Sequence, residues 1–402
     1  MSLLRRHPIA LALAALVIVS ALWSLPPLID AVTGAPPPPG DAELNRPFLY
    51  LAAAPLTDVL DALTFLSLPR AQALLTTWVA ALALWGVLRS GSWLLRFGRA
   101  ALGVGSMVFL VGATLVLPRP VPRLVTADAA AVVIDYHAHT AASHDGRKRW
   151  TAADLADWHV AQGFQASYVT DHNVLFTATV EQPIRLLPGV EWSVYRQHVV
   201  ALSPAVAIDR DVFSRDTPSL LRLFGELHRQ GALAIASLPE FWDHHREDLE
   251  AFVAAGVDGF EIVNCAPRGL AFPPQARRDV LDLARANDLL VTGASDNHGW
   301  GKVTCVWNVT HPGEHGFKAN HVLARPLALA QGDLPVWNAA ISQPWLMLRG
   351  LSAAERVSWL TWIAVVTLYL AQPRRQGQPA GLGILARSVL GPEPRVEPTA
   401  VG

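Results

Sequence analysis

The chain has little cysteine and little charge. Its only two cysteines are Cys265 and Cys305, which excludes both a dense disulfide framework and the repeated cysteine spacing of a zinc finger. Only 16% of the residues are charged, against roughly 25% in soluble domains. The formal charge of −1 excludes the overall basic character of many nucleic-acid-binding proteins. The composition is 51% hydrophobic and its apolar residues are gathered in runs, which indicates membrane-spanning segments.

Long apolar runs fill the N-terminal third. Three of them contain no charged residue, namely Ile9–Leu25, Ala71–Leu88 and Ala100–Leu117. Each approaches the length of about 20 residues that a helix needs to cross a bilayer. Val357–Ala371 is a further apolar run that is predicted to span as well. The first run also resembles a signal peptide because Arg5 and Arg6 precede it, but no clean cleavage site follows. Either interpretation predicts a membrane protein, and the runs together predict a multi-pass one.

The segment Phe48–Leu68 is apolar but is interrupted by Pro55. Asp58 and Asp61 are three residues apart, which places both carboxylates on one face of a helix. This pattern favours an amphipathic segment that lies at the membrane interface. The alternatives are another spanning helix or a functional pair of carboxylates within the membrane.

These features divide the chain into four parts. A membrane region with about three transmembrane helices covers 1–125, a soluble domain covers 126–345, a C-terminal transmembrane helix covers 346–372, and a tail expected to be disordered covers 373–402. With three spans before the soluble domain, seven arginines near the spans lie on the opposite side and four lie on its own side. Because arginine marks the cytoplasmic side, the soluble domain is expected to be extracytoplasmic. An oxidising compartment permits a bond between the two cysteines, although two distant free thiols are the simpler expectation.

Within the soluble domain, short apolar strands alternate with helices. The predicted strands are Ala131–Ile134, Ala166–Val169, Arg185–Leu187, Ala232–Ala236, Gly259–Val263 and Leu289–Thr292. The predicted helices are Thr151–Gln162, Ser219–Gln230, Asp243–Ala255 and Gln275–Asn287. Pro188 and Gly189 are expected to form a turn after the third strand. This alternation predicts parallel pairing through helical crossovers, and therefore an α/β sheet or barrel.

Histidine is concentrated in this domain, since thirteen of the fourteen histidines lie between His137 and His321. Several stand beside carboxylates in short strings, which read DYHAH at 135–139, TDHN at 170–173, PGVE at 188–191 and SDNH at 295–298. Each string alone is typical of packing, a helix cap or a turn. Together they follow the C-terminal ends of predicted strands, where barrel enzymes place their active sites. Their recurrence there predicts a centre that binds divalent cations.

The order of these strings resembles the polymerase and histidinol phosphatase (PHP) domain of metal-dependent phosphoesterases. The opening string continues as DYHAHTAASHDG, with His144 inserted between Ser143 and Asp145. The family's Thr-Asp-His, Gly-x-Glu and Ser-Asp-x-His strings follow in order, as do a histidine that opens the strand HVVAL and the string DGFEIVN. The resemblance covers residues 131–311 and implies a distorted, seven-stranded (β/α) barrel.

The resemblance also implies roles for individual residues. The implied metal ligands are His137, His139, Asp145, His172, Glu191, His198, Asp296 and His298. They would hold two or three divalent ions of Zn, Mn, Fe or Mg, with Glu191 bridging two of them. Asp171 is implied to orient a histidine. Glu261 and Asn264 are implied to line the pocket or brace it, and a purely structural role for them stays open. Glu191, Asp296 and Arg268 are also predicted to be catalytic. Arg268 is predicted to clamp phosphate, and is preferred over Arg147, Lys148, Arg149, Arg196 and Lys302.

One position departs from the family pattern. Leu238 stands where the family has a ligand histidine, and leucine cannot bind a metal. Three outcomes stay open: one site is lost, a neighbour among Glu240, His244 and His245 replaces the ligand, or metal binds weakly. His244 and His245 are otherwise interpreted as a solvated helix start. Five further histidines have no family position and are interpreted as structural: His144, His159, His228, His311 and His315.

The sequence thus predicts a membrane-anchored phosphoesterase that hydrolyses a phosphomonoester or phosphodiester with metal-activated hydroxide. The expected substrate is a small or lipid-linked phosphoester. A nuclease is disfavoured because residues 128–320 carry 16 Lys and Arg against 24 Asp and Glu. The alternative class is a non-catalytic, metal-binding sensor or scaffold in the membrane. Leu238 favours that alternative, whereas the retained ligand positions oppose it.

Overall fold

The computed structural model describes residues 7–194, 197–214, 216–332 and 334–371. The described α-helices are α1 (Pro8–Val19), α2 (Phe48–Ala52), α3 (Ala54–Thr64), α4 (Leu68–Leu88), α5 (Trp93–Val116), α6 (Ala152–Gln162), α7 (Thr217–Arg229), α8 (Trp242–His245), α9 (Leu249–Ala254), α10 (Pro274–Ala286), α11 (Pro326–Leu329), α12 (Ala339–Gly350) and α13 (Ala353–Ala371). The strands are β1 (Ile29–Asp30), β2 (Ala42–Asn45), β3 (Arg123–Thr126), β4 (Val132–Asp135), β5 (Ala166–Val169), β6 (Arg185–Val194), β7 (Gln197–Leu202), β8 (Leu233–Ser237), β9 (Gly259–Asn264), β10 (Leu290–Ala294), β11 (Val306–Thr310) and β12 (Asn320–Ala324). The predicted disordered tail at 373–402 and Arg196 lie outside these residues.

Ten strands form one sheet in the order β1-β12-β11-β4-β5-β6-β7-β8-β9-β10, and β2 pairs with β3 separately. Pairing is parallel within β4-β5-β6 and within β8-β9-β10. It is antiparallel where β7 joins β6 to β8, and where β11 joins β4 to β12. The α/β class is therefore confirmed, and the predicted strands pair in parallel as expected, whereas the antiparallel pairs of this sheet involve β7, β11 and β12.

The sheet is curled, so that β10 approaches β11 and β12. The backbone N–H of Gly293 donates to the side-chain oxygen of Asn308 at 2.7 Å, and the Asn320 amide donates to the Val291 carbonyl at 2.8 Å. A Cβ at Gly293 would lie 2.4 Å from a methyl carbon of Val306, so this approach requires glycine. The architecture is a curled, ten-stranded mixed sheet, which replaces the predicted seven-stranded barrel.

Helix ends follow from local sequence. Thr151 caps α6 by accepting from the Asp154 N–H at 3.2 Å, and the Asp154 carboxylate accepts in return from the Thr151 N–H at 2.8 Å. This is a capping box with Asp in place of Glu. Two boundaries were predicted wrongly. Pro188 and Gly189 lie inside the continuous strand β6 instead of a turn, and the helix predicted at 243–255 is divided into α8 and α9.

The main core lies between the sheet and its covering helices. On α7 the buried side chains recur at three- and four-residue spacing, which gives the helix one apolar face: Leu220, Leu223, Phe224 and Leu227. From the adjacent strands β8 and β9, Ala236 and Phe260 belong to the same cluster. Full burial of each large apolar side chain stabilises the fold by about 1.5–3 kcal/mol. This packing fixes the strands whose ends carry the polar strings.

Two helices are long and apolar enough to cross a membrane, α4 (Leu68–Leu88) and α5 (Trp93–Val116). Only 11% and 17% of their apolar windows are buried, so they do not behave as core helices of the folded chain. They correspond to the second and third predicted spans. The apolar helix Pro8–Trp23 is shorter, and α13 is not among the described helices that reach this length and apolarity.

The segment Phe48–Leu68 is neither one spanning helix nor a helix with its polar face in water. It forms α2 and α3, and Asp58 and Asp61 are both buried. The Tyr50 hydroxyl lies 3.1 Å from Asp58 and 3.0 Å from Asp61. The Trp359 indole donates to Asp58 at 2.8 Å, and the Arg119 guanidinium donates to Asp61 at 3.1 Å. The two carboxylates therefore join α3 to α13 and to the segment before β3.

Cys265 and Cys305 form a disulfide, with their Cα atoms 5.6 Å apart. It connects the chain just after β9 to the residue before β11. The simpler expectation of two distant free thiols is therefore wrong. Sequence distance concealed the contact, because the curl of the sheet brings these strand ends together.

Replacing both cysteines by serine is expected to lower the free energy of unfolding by about 3–4 kcal/mol, because the bond closes a loop of 40 residues. Thermal unfolding of the full chain in detergent measures this. Wild-type protein treated with reductant is the matched control and should unfold at the same lowered temperature. An unchanged unfolding temperature in both samples would show that the bond does not form.

Candidate metal centre

One end of the curled sheet gathers the polar side chains that the sequence assigns to a metal site. They come from the residues just after β4, β5 and β10, from within β6, from the start of β7 and from the loop before α6. Close contacts link all eight predicted ligands: His137, His139, Asp145, His172, Glu191, His198, Asp296 and His298. The structure thus brings the whole set together, and its role as a ligand set remains a prediction.

Glu191 lies at the middle of this group and is 1% exposed. Its Oε2 atom lies 3.1 Å from Nε2 of His137 and 2.9 Å from Nδ1 of His172. The same oxygen lies 3.4 Å from Nε2 of His139, and Oε1 lies 2.6 Å from Nδ1 of His198. Imidazoles therefore surround both oxygens of one buried carboxylate.

Asp296, which lies two residues after β10, completes the group. Its Oδ1 atom lies 3.1 Å from Nε2 of His139 and 3.5 Å from Nδ1 of His298. The backbone of Asp296 has a φ of +47°, a left-handed conformation that non-glycine residues rarely adopt. Such strain is found where the surrounding structure holds a functional side chain in place.

Asp145 lies at the mouth of the centre, with its side chain 47% exposed. Its two oxygens lie 3.3 Å from Nε2 of His298 and 3.5 Å from Nε2 of His172. The neighbouring Gly146 fits because a Cβ there would lie 2.2 Å from the Thr140 carbonyl oxygen. His144, interpreted from the sequence as structural, lies beside Asp145 and His172 and offers a third ligand atom at this rim.

Glu261 and Asn264 brace the centre. Glu261 Oε2 lies 2.8 Å from Nδ1 of His137, while its other oxygen accepts from the Ser237 hydroxyl and the Asn264 amide. The Asn264 amide also donates to Asp296 at 3.0 Å. A carboxylate that accepts a hydrogen bond from the second nitrogen of an imidazole fixes the orientation of the ring and its tautomer. Of the roles that the sequence left open, these contacts favour bracing over lining.

Asp171 does not orient a histidine. Its carboxylate accepts from the backbone N–H of Thr140 at 2.6 Å and from the Thr140 hydroxyl at 2.7 Å. The group that contacts the second nitrogen of His139 is the Ser143 hydroxyl, at 2.9 Å, and this hydroxyl also accepts from the His172 N–H. Ser143 is a supporting residue that was not predicted from the sequence, although it stands in the string that contains Asp145.

The remaining candidates lie outside the ligand group. Leu238 and His245 are both fully buried, and His245 packs near Phe252, so the expectation of a solvated helix start is wrong for this residue. His159 is buried against Asp135 at 2.9 Å and is structural, as expected. Arg268 lies over the ring of Phe241, 5.9 Å from its centroid, and borders a neighbouring cavity instead of the ligand group.

The charges of the centre shift its pKa values strongly. Burial opposes protonation of His137, but the charges of Glu191 and Asp296 outweigh burial and raise its pKa. Burial and the nearby His298 lower the pKa of His139 to about 3. The pKa of His298 is raised to about 9, because Asp145 and Asp296 outweigh burial. Burial likewise opposes ionisation of Glu191, yet the histidines hold its pKa well below the usual range.

The donor set fits divalent cations. Four triads have ligand atoms within 4.8 Å of one another: His139-His172-His298, His137-His139-Asp296, His144-Asp145-His172 and His172-Glu191-His198. In the described part of the chain, both Glu191 oxygens, Asp296 Oδ1 and His172 Nδ1 are buried without a hydrogen-bond partner. A coordinated cation would satisfy these atoms, and imidazole nitrogen with carboxylate oxygen suits zinc, iron or manganese.

Comparisons with known proteins give structural similarities only. No family model matches the chain, and no curated protein matches it. PsfC from Pseudomonas syringae PB-5123 aligns over 54% of this chain and 99% of its own, at 19% identity and a TM-score of 0.39. A Bifidobacterium adolescentis protein assigned as a metal-dependent phosphoesterase aligns over 55% and 97%, at 19% identity and 0.33. The lesion-specific endonuclease PfuEndoQ from Pyrococcus furiosus aligns over 51% and 56%, at 12% identity and 0.32.

The raised pKa of His298 predicts that metal binding releases protons. With a pKa raised to about 9, His298 is protonated at neutral pH in the metal-free centre, whereas a ligand imidazole must be neutral. Metal affinity should therefore rise as the pH rises towards that value. Calorimetric titration of the chelator-treated chain with Mn²⁺, in two buffers of different ionisation enthalpy, counts the released protons. The His298→Gln variant should release fewer, and a buffer-independent enthalpy for the wild type would contradict the prediction.

Proposed function

We propose that this chain is a membrane-anchored, metal-dependent phosphoesterase of the PHP type, which hydrolyses a phosphomonoester or phosphodiester. The observation that carries the proposal is the environment of Glu191. It is a fully buried carboxylate that contacts four imidazoles, and its oxygens lack hydrogen-bond partners among the described residues. A buried carboxylate is costly without positive charge beside it, and divalent cations among these imidazoles would supply that charge.

Two or three divalent ions would act as Lewis acids at this centre and lower the pKa of a water molecule. The side chains around them have separate tasks. Glu191 and Asp296 concentrate negative charge where the cations bind, and Glu261 holds the ring of His137 in place. Asp145 and His298 stand at the exposed mouth, where a phosphoryl group enters. Glu191 and Asp296 are accordingly the proposed catalytic residues.

The proposed substrate pocket lies beside His198. The ring of Phe241 meets the ring of His198 edge-on, with centroids 5.0 Å apart. Phe241 also borders a cavity of about 400 Å³, whose other lining residues include Glu240, Trp242, His244, Arg268 and Phe272. Arg268 gives this cavity a guanidinium, which binds phosphate or carboxylate oxygens in pairs. It is the proposed clamp for the part of the substrate that is not hydrolysed.

The position of this cavity favours a lipid-linked substrate over a soluble one. The carbonyl of Pro267, the residue before Arg268, accepts from the Leu68 N–H at 2.8 Å. Leu68 is the first residue of α4, one of the two helices suited to a membrane. This contact supports a clamp near the start of a membrane helix, where a lipid headgroup would bind.

We further propose that the catalytic domain, 126–345, is extracytoplasmic and flanked by membrane segments at 1–125 and 346–372. The bond between Cys265 and Cys305 supports this location, because such bonds persist in oxidising compartments. The arginine distribution supports it as well. Nucleic acid is disfavoured as a substrate by the acidic excess over residues 128–320.

The full chain in detergent is expected to hydrolyse phosphoesters, and a chelator should abolish the activity. Glu191→Gln should lower kcat/KM by at least about 100-fold, since even residues that only support a ligand contribute 10- to 100-fold. Glu181→Gln makes the same chemical change at an exposed position and should leave activity unchanged. Bound metal without hydrolysis, over a panel of soluble and lipid-borne phosphoesters, would favour the sensor or scaffold instead.

Arg268→Ala should raise KM for a phosphoester presented in mixed micelles more than for p-nitrophenyl phosphate, because the clamp contacts only the larger substrate. The loss expected for a charged hydrogen-bonding group is about 1.5–3 kcal/mol, or roughly 10- to 150-fold. Arg278→Ala is the control, since this exposed arginine lies on α10. An equal rise in KM for both substrates would show that Arg268 does not bind the lipid-linked part of the substrate.

A further inference from the structure

An uncharged stretch of the chain covers residues 334–348, at the end of the predicted soluble domain. It forms a 3₁₀ turn, Val336–Asn338, and then most of α12. Three of its large apolar side chains face away from the protein: Val336 is 43% exposed, Trp337 81% and Ile341 77%. Large apolar side chains that share one exposed surface mark a contact with another protein or with a membrane.

This segment packs along α4. Ala339 is fully buried in an apolar cluster that contains Leu74 of α4. The indole of Trp78 donates a hydrogen bond to the carbonyl of Ala340 at 3.3 Å. Trp78 comes ten residues after Leu68, the first residue of α4, which corresponds to about 15 Å along a helix. Because α4 is suited to cross a membrane, the start of α12 lies beside a part of α4 that a bilayer would surround.

Side chains of α4 also supply the hydrogen bonds that this segment needs. Arg70 is fully buried, and its guanidinium donates to the carbonyls of Leu334 and Pro335 at 3.2 and 3.1 Å and to the Ser342 hydroxyl at 2.6 Å. With the bond from Trp78, three backbone carbonyls of the segment accept from α4. Hydrocarbon offers no hydrogen bonds, so irregular backbone at membrane depth requires partners of this kind within the protein.

We propose that residues 334–348 form a re-entrant segment, which enters the leaflet on the side of the soluble domain and places Val336, Trp337 and Ile341 in contact with lipid. The inference rests on the proposed membrane anchoring. The segment carries no charge that would be costly in hydrocarbon, and tryptophan favours the membrane interface. Lipid is favoured over a protein partner because the segment continues the surface of α4, whose apolar window is only 11% buried. The soluble domain then ends before residue 334 instead of at 345.

Spin labels in vesicles test the inference. The full chain carrying Trp337→Cys or Ile341→Cys is labelled with a nitroxide and reconstituted into vesicles of phosphatidylethanolamine and phosphatidylglycerol. Without reductant, the two native cysteines do not react because they are bonded to each other. Power saturation then measures the accessibility of each label to oxygen, which concentrates in hydrocarbon, and to a nickel chelate, which stays in water. The unfolding temperature verifies that each variant is folded.

Two exposed positions are the matched controls, Leu84→Cys on α4 and Val206→Cys in the soluble domain. The ratio of oxygen to nickel accessibility at both test positions should shift from the value at Val206 to the value at Leu84. A ratio like that of Val206, with Leu84 in hydrocarbon, would overturn the inference and leave the membrane anchoring intact. Labels shielded from both reagents would overturn it as well, because protein would then cover the segment. If Leu84 is also accessible to nickel, the membrane anchoring itself is wrong.

Discussion

The end of the sheet that gathers the histidines depends on one electrostatic constraint, the burial of Glu191 among imidazoles. A carboxylate in a site of low polarity is strongly destabilising unless positive charge lies beside it. In the metal-free chain, the histidines supply that charge by holding protons, which is why the pKa of His137 is raised and that of Glu191 is lowered. Divalent cations would replace those protons. The same arrangement therefore explains both the perturbed pKa values and the fit to metal.

The fold provides this constraint through its mixed sheet. Parallel strands β4, β5 and β6 deliver three polar strings to one edge, and the antiparallel strand β7 returns His198 to the same edge opposite Glu191. The curl of the sheet then brings Asp296 from β10 to within 3.1 Å of His139. A flat sheet of ten strands would hold these groups far apart, so the curl is as necessary for the centre as the ligands themselves.

The sequence predicted the parts of the site that depend on strand ends. His137, His172 and Asp296 follow strands whose apolar residues are plain in the sequence, and their convergence follows from the parallel pairing. The sequence could not predict contacts that depend on the curl of the sheet or on the direction in which a side chain points. The bond between Cys265 and Cys305 depends on the curl, and the carboxylate of Asp171 turns to Thr140 instead of a histidine. Buried Asp58 and Asp61 were mistaken for a polar face, because their partners are remote in sequence.

The centre also connects to the part of the chain suited to a membrane. Arg268 borders a cavity together with Phe241, and the carbonyl of Pro267 accepts from the N–H of Leu68, the first residue of α4. Under the proposed function, this contact would let a phosphate group bind near the membrane surface while the ions stay at the end of the sheet.

Anomalous X-ray diffraction from crystals of the full chain grown with Mn²⁺ tests the central claim most directly. The account predicts at least two anomalous peaks within coordination distance of Glu191, one bounded by His137, His139 and Asp296 and the other by His198. An ordered centre with no anomalous peak beside Glu191 would contradict it.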